Sequence, residues 1–456
     1  MAERDMTYRQ DTIAAIATAP GNGGIGIIRM SGPEAEKILS CIFRPAGNQK
    51  SPPESHRMTY GRLMDGTETV DECMAVLMRA PKSYTREDVA EIQLHGGSYV
   101  VNKALELCLK EGARLAEAGE FTRRAFLNGR VDLSRAEAVM EMITARGSQA
   151  HQAAVRQLNG GASAFVRGFS EELSDLQAGL AACIDYPEEI SDEEGAGNLK
   201  EGLEKLVSRL ERAIDEHASR LIHQGLQVAL IGRPNVGKSS LLNALLGEDR
   251  AIVTSIPGTT RDTVNGEMTI GGFRVTLTDT AGIHETDDPV EKIGVERSER
   301  ARKNADVSLL ILDGSELLTE TDEELLKQFE GPGAVVINKT DLAQVITEQD
   351  IHDIRPDAAC ITVCAKNADT LRPVTEYLEH FTEISDQIAL TQPRHLDAAC
   401  RAIAHMQDAL RTLDSFTPDV AATDLQAAQA ALCEITGDSA DEKLLDRVFA
   451  RFCVGK

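Results

Sequence analysis

Eight consecutive residues, Gly232-Arg233-Pro234-Asn235-Val236-Gly237-Lys238-Ser239, match the pattern G-x-x-x-x-G-K-[ST]. Its chemistry is phosphate binding. The glycines let backbone N–H groups turn toward a phosphate chain, the lysine brings a positive charge to the outer phosphates, and the terminal hydroxyl can ligate Mg²⁺. Asn235, Val236, Gly237, Lys238, Ser239 and Ser240 are therefore expected to contact a nucleotide, with Ser239 on the metal. The flanks agree: an apolar strand is expected over Gln227–Ile231 and a helix over Ser240–Leu246. A helix starting here adds its dipole to the anion site.

Three more motifs follow in order, each closing a strand-like run. Asp279-Thr280-Ala281-Gly282 ends the run Phe273–Thr278. Its Asp can hold Mg²⁺ through water and its Gly N–H can meet a γ-phosphate. Asn338-Lys339-Thr340-Asp341 ends Ala334–Ile337. The Asp341 carboxylate suits the paired N–H donors of guanine. Adenine would leave it buried and unpaired, so Asn338, Lys339 and Asp341 predict GTP rather than ATP. Cys364-Ala365-Lys366, after Ala359–Val363, fits the last base-contacting loop, with Cys364 where Ser is usual. Between the first two motifs lies Thr254-Ser255-Ile256-Pro257-Gly258-Thr259-Thr260. Here Thr260 is the second candidate Mg²⁺ ligand, ordered by a γ-phosphate.

Positioning these loops requires a mostly parallel sheet with one antiparallel edge, turned at Gly271-Gly272. The chain of 456 residues is long enough for two or three domains. Up to about Leu127 it mixes strands (Thr12–Ala17, Gly26–Arg29, Glu72–Met78, Val89–Leu94) with a helix over Ser98–Lys110. Long helical periodicity then runs from Leu133 to Asp185 and from Leu199 to Ile222, with an acidic exposed loop expected over Pro187–Asn198. Helices return after Pro393. A nucleotide module between two helical halves reads as an insertion into one discontinuous helical domain.

Composition narrows the function further. A formal charge of −25 argues against broad electrostatic binding of nucleic acid, and a chain that is 4% aromatic without Trp argues against extensive base stacking. Nine scattered cysteines without C-x-x-C spacing suit reduced thiols in the cytoplasm. No apolar run reaches a membrane span and no signal peptide is evident.

The Pro-Asn of the phosphate loop and Gly258-Thr259-Thr260-Arg261-Asp262 resemble the Era/TrmE-like class of GTPases. Four further stretches narrow the resemblance to the MnmE/TrmE family of tRNA modification GTPases, over essentially the whole chain. They are Ile25-Gly26-Ile27-Ile28-Arg29-Met30-Ser31-Gly32, Phe121 through Gly129, Leu133 through Ala138, and the terminal Phe452-Cys453-Val454-Gly455-Lys456. The resemblance implies a multidomain α/β and all-α fold. Its parts are an N-terminal α/β folate-binding-like and dimerising domain (1–127), a discontinuous helical domain (128–222 and 382–456) and an inserted Ras-like P-loop GTPase domain (223–381).

It also implies a K⁺ ion held by Asn235, Thr254, Ile256 and Thr259, and Glu291 as the acid that orients water. A tetrahydrofolate, 5,10-methylene or 5-formyl, is implied on Arg29, Glu91, Arg130 and Lys456. By residue type alone, Asn235 is equally a turn residue, Glu291 a helix-start acid and the four folate positions surface charges. Asn22, His284 and Cys364 depart from the family pattern without breaking a nucleotide motif. Cys453, with no base in view, is left out of the catalytic set.

The activity implied is that of a cytoplasmic homodimer using GTP, Mg²⁺ and K⁺. With an FAD- and NADH-dependent MnmG/GidA-like partner, in a heterotetramer or larger complex, it would modify the wobble uridine of tRNA. Two other classes share parts of this chemistry. An Era-type ribosome-assembly switch would need a basic KH-like appendage, against which the acidic, helical C-terminal part counts. A folate enzyme with a regulatory GTP module is the other.

Overall fold

A computed structural model describes residues 11–47, 52–185, 192–248, 265–279, 305–385, 389–414 and 418–456. The chain divides into two compact units, Met1–Met140 with Gln157–Leu206 and Arg401–Lys456, and Glu141–Arg156 with Val207–Cys400.

The first unit is built on seven strands: β1 (Ile13–Ile16), β2 (Ile25–Ser31), β3 (Phe43–Pro45), β4 (Thr59–Asp65), β5 (Glu68–Met78), β6 (Val89–His95) and β7 (Arg114–Leu115). They lie in the order β3-β4-β5-β6-β2-β1-β7, antiparallel except for the β1–β7 pair. Period-two alternation sorts the central strands. Ile28 and Met30 of β2 and Ala90, Ile92 and Leu94 of β6 enter a core shared with the helices Ala35–Ile42 and Ser98–Lys110. Arg29 and Glu91, directly opposite in register, therefore point to the other face. On that face Phe121, from the helix Glu120–Leu127, packs with Ile13, Ala15, Ala116 and Tyr84.

In the same unit the long helices Gly161–Asp185 and Pro418–Thr436 pack together, and Gln177 donates to the Leu425 carbonyl at 2.8 Å. Phe126 and Leu133 meet Leu445, Phe449 and Phe452 in a further apolar cluster. That cluster brings the C-terminal tail toward the first strands. Ala118 bridges to Val454, and Gly119 N–H donates to the Cys453 carbonyl at 3.3 Å.

The second unit carries β8 (Leu226–Ile231), β9 (Asn265–Ile270), β10 (Phe273–Asp279), β11 (Val307–Asp313), β12 (Gly333–Asn338) and β13 (Ala359–Thr362). Their order is β13-β12-β11-β8-β10-β9, parallel but for β9. This is the mostly parallel sheet with one antiparallel edge that the motif order predicts. Strands covered on both faces read as continuous apolar runs, as Val307-Ser308-Leu309-Leu310-Ile311-Leu312 does with every residue buried. One face packs on the helices Lys238–Glu248 and Arg372–Glu379 through Leu241, Leu245, Val374 and Leu378. The other packs on Leu326, Phe329, Ile346 and Ile351.

Gly271 and Gly272, with φ of +58° and +82°, make the two-residue β9–β10 turn. Residues 146–149 clasp this hairpin. The Gln149 N–H donates to the Gly272 carbonyl at 3.1 Å, and Arg146 makes paired bonds of 2.8 and 3.0 Å to Glu267.

The expected loop over Pro187–Asn198 needs correction. Its second half is helical, because the helix Asp192–Ala213 starts inside it. Gly195 and Gly197, which suggested a loop, lower helix propensity without forbidding a helix. Strand β4 also went unread, because Gly61 interrupts its pattern. A Cβ there would strike the Arg44 carbonyl and the Phe43 ring, so only glycine lets β3 and β4 close.

Candidate nucleotide and folate sites

The described nucleotide-motif residues lie at the carboxyl ends of strands β8, β10, β12 and β13, the edge where open parallel sheets bind ligands. The phosphate loop follows β8. Gly232 has φ +146°, and Asn235 adopts the left-handed region at φ +68°. Lys238, 5% exposed, arches back over the loop and donates to the carbonyls of Gly232 at 2.8 Å and Arg233 at 2.7 Å. Burial lowers its pKa, and the Asp279 carboxylate opposes that shift. An ammonium so desolvated is primed for phosphate oxygens. Arg233 is tied by a 2.8 Å bond to Asp322, whose carboxylate also caps the helix Glu320–Lys327 through Thr319.

Ser239 Oγ donates to Asp279 Oδ2 at 2.7 Å. Asp279 Oδ1 is buried and without a hydrogen-bond partner among the described residues. A buried, orphaned carboxylate oxygen beside a serine hydroxyl is the donor set a hard divalent cation takes, so the pair fits Mg²⁺.

Asn338 braces the site. Its amide donates to the Val236 carbonyl at 2.9 Å, and its side-chain oxygen accepts from Ala365 N–H at 3.0 Å. One buried side chain thus locks the phosphate loop to the last base loop. Lys339, at φ +66°, pairs with Asp313. The Asp341 carboxylate lies 3.0 Å from Lys366 Nζ, and this ammonium, assisted by Cys364, holds it below the usual carboxylate range. An ionised Asp341 is the acceptor guanine needs.

Thr254, Ser255, Ile256, Pro257, Gly258, Thr259 and Thr260 lie outside the described residues, as do Thr280, Ala281, Gly282, His284 and Glu291. Of the implied K⁺ ligands only Asn235 is described.

In the first unit the fold gathers positions far apart in sequence. Arg29 Nε donates to Glu91 Oε1 at 2.7 Å across strands β2 and β6, and its Nη1 reaches the Gly455 carbonyl at 3.3 Å. Gly455 sits at φ +94°, where a Cβ would come within 2.5 Å of the Ile16 carbonyl. Glycine is therefore required for the tail to dock and bring Lys456 with it.

Arg130 donates to the Tyr84 carbonyl at 3.1 Å, with its guanidinium carbon 4.6 Å from the Tyr84 ring centre. The Arg29 guanidinium carbon is 5.8 Å from the same ring. Tyr84 therefore stands between the gathered residues, yet no sequence motif pointed to it.

The Phe121–Gly129 motif supports this arrangement from beneath. Arg124, 3% exposed, donates to Asp11 Oδ1 at 2.6 Å, to Glu120 at 3.0 Å and to Glu87 at 3.3 Å. Burial pushes the Glu87 carboxyl up despite Arg124. Burial also works against Asp11 and Glu120, but Arg114 and Arg124 outweigh it and hold both below the ordinary range.

Residues 12–130 match the family described as GTP-binding protein TrmE N-terminus, and residues 133–453 match the MnmE helical domain. The chain is 43% identical over 466 residues to the tRNA modification GTPase MnmE of Heliobacterium modesticaldum, covering 98% of this chain and 99% of that protein. It is 44% identical to the protein of the same name from Geobacillus thermodenitrificans, at 98% and 99% coverage. The chain belongs to the MnmE family. It is a GTPase of tRNA modification. Among the described residues no helix is long and apolar enough to cross a membrane.

Proposed function

We propose that this chain acts in the cytoplasm as a homodimeric, potassium-dependent GTPase with two coupled sites. With an FAD- and NADH-dependent partner of the MnmG/GidA kind, it adds an aminomethyl or carboxymethylaminomethyl group at C5 of the wobble uridine of certain tRNAs. A tetrahydrofolate supplies the one-carbon unit. Such a cofactor contributes an activated carbon at the oxidation state of formaldehyde or formate. The chain's own residues bind and orient it: Glu91 accepts from the 2-amino edge of the pterin, while Arg130 and Lys456 meet the glutamyl carboxylates. At the other site Lys238, Ser239 and Asp279 hold the phosphates and Mg²⁺, Asp341 reads guanine, Asn235 contributes to the K⁺ position and Glu291 orients water. The working division places nucleotide chemistry in 223–381 and folate binding in 1–127, with 128–222 and 382–456 joining them.

The observation that carries the folate half is the meeting of Arg29, Glu91 and the Gly455 carbonyl, recruited from both ends of the chain. A purely structural salt bridge needs no contact from a C-terminal glycine. The reading is tested by nucleoside analysis of tRNA from a deletion strain complemented with the wild-type chain or Arg130→Ala. Loss of the modified wobble uridine on deletion, restored by wild type and poorly by Arg130→Ala, is expected; unchanged nucleosides on deletion would defeat it. Potassium dependence is tested by GTP hydrolysis rates in KCl and NaCl, where equal rates remove the potassium assignment. A Glu291→Ala chain that hydrolyses GTP at the wild-type rate removes that residue from catalysis.

A further inference from the structure

Arg130 combines three properties seldom found together. It is exposed, it is held from two directions, and among the described residues no acidic side chain pairs with it. An exposed arginine normally samples many rotamers, and ordering it loses entropy that some contact must offset. Here the contacts are the Tyr84 ring beneath the guanidinium and the Tyr84 carbonyl at its edge. Neither neutralises the charge.

Tyr84 is itself anchored. Its hydroxyl shares a 2.9 Å hydrogen bond with Thr122, and its ring packs against the cluster of Ile13, Ala15, Ala116 and Phe121. The loop around it is stitched to the turn that precedes Arg130. Asn128 donates to the Thr85 carbonyl at 2.7 Å, and Arg86 donates to the Asn128 carbonyl at 2.9 Å. Arg29, on the same ring, is treated differently, because Glu91 takes its charge. Tyr84 thus separates a compensated guanidinium from an uncompensated one.

We propose that Tyr84 is a positioning residue of the folate site. Its ring and carbonyl pre-orient Arg130, with charge unspent, to receive a carboxylate from the ligand's glutamyl tail. This rests on the folate reading above. A guanidinium fixed before binding loses little further freedom when the carboxylate arrives, and a planar fork held edge-out can take both oxygens.

The test is a double-mutant cycle read by binding of 5-formyltetrahydrofolate to the full chain, with a melting curve for each variant. Tyr84→Leu should raise Kd about tenfold, whereas Tyr84→Phe, which keeps the ring and the backbone carbonyl, should stay within about twofold of wild type. Because Tyr84 works through Arg130, the Tyr84→Leu/Arg130→Ala chain should bind no more weakly than Arg130→Ala alone. A merely structural role would not give that non-additivity. Tyr84→Met serves in the cycle if Tyr84→Leu does not fold. Wild-type affinity in Tyr84→Leu, or additive losses in the double variant, overturns the proposal while leaving the folate reading intact. Failure of the wild-type chain to bind the folate at all overturns both.

Discussion

The nucleotide site and the Arg29–Arg130 site are built by opposite strategies. The first is a set of short contiguous motifs, each placed at the carboxyl end of a strand by the parallel sheet. Its backbone conformations are encoded locally, by Gly232, Asn235 and Gly237 with positive φ. The second takes one residue from each of several elements and closes only when the C-terminal tail returns to strand β1. A local site survives damage elsewhere, whereas an assembled site depends on every element that brings it together. The two sites should therefore fail differently.

The largest expected effect is within the local site. Asp341→Asn removes the carboxylate that accepts guanine's two donors and leaves an amide facing them, so GTP affinity should fall on the order of 10³-fold. Affinity for xanthosine triphosphate should rise, since its 2-oxo group accepts from the new amide. Fluorescent-nucleotide titrations would read both, and an Asp341→Asn chain that still prefers GTP would refute the base-reading role. Folate binding should be untouched.

Removing the cation under the assembled site comes next. Arg124→Met strips Glu87 of its cation, leaves Asp11 and Glu120 to Arg114 alone around a buried gap, and should destabilise the first unit by about 3–5 kcal/mol. Urea unfolding with probes in each unit would show whether the loss is confined there; equal loss in both would contradict the division.

Gly455→Ala tests assembly more gently. The substitution forces a Cβ against the Ile16 carbonyl at a left-handed backbone position and should cost about 2 kcal/mol of tail docking. Folate affinity should drop by roughly the equivalent, about thirtyfold, with GTP hydrolysis measured alongside as the local site's reference. Unchanged folate affinity would mean that the tail contributes nothing to that site.

Acid should weaken the first unit. Asp11 and Glu120 have folded pKa values below their unfolded ones, so their contribution is present above the ordinary carboxylate range and lost as pH falls through it. Glu87, raised by burial, acts in reverse and loses its contribution as pH climbs from its unfolded to its folded pKa. Because Glu36 and Asp65 are also held below the ordinary range, unfolding midpoints of the first unit measured from pH 7 to pH 3 should decline.

The smallest effect belongs to Arg146→Ala. This arginine is half exposed, so breaking its bond to Glu267 should cost about 0.5 kcal/mol. A thermal shift well beyond that would reveal a larger role for the hairpin clasp.

How legible each part was follows from the same contrast. The strands β8, β10, β12 and β13, the Gly271-Gly272 turn and the order of the nucleotide loops could be read because apolar runs and glycine-bearing turns are local signals. Arg124 stood inside a recognisable motif, but its task as a buried counter-ion became visible only with Asp11, Glu87 and Glu120 around it. Tyr84 carried no signal, because an aromatic residue in a loop looks the same whether it fills a core or supports a guanidinium. The helix from Asp192 was hidden by two glycines that lower helix propensity without forbidding it.

By itself the sequence determined which groups the nucleotide motifs present: the Lys238 ammonium, the Ser239 hydroxyl and the carboxylates of Asp279 and Asp341. It also determined that Arg29 and Glu91 lie off the apolar face of their strands, because side chains alternate along a strand. The tertiary structure alone decided that those two face each other in register, that Gly455 closes on them, and that Tyr84 holds Arg130 without neutralising it. The physical reason is range: backbone conformation and side-chain alternation are set by neighbours in the chain, whereas charge pairing between distant elements exists only after the core has packed and brought them within a few ångströms.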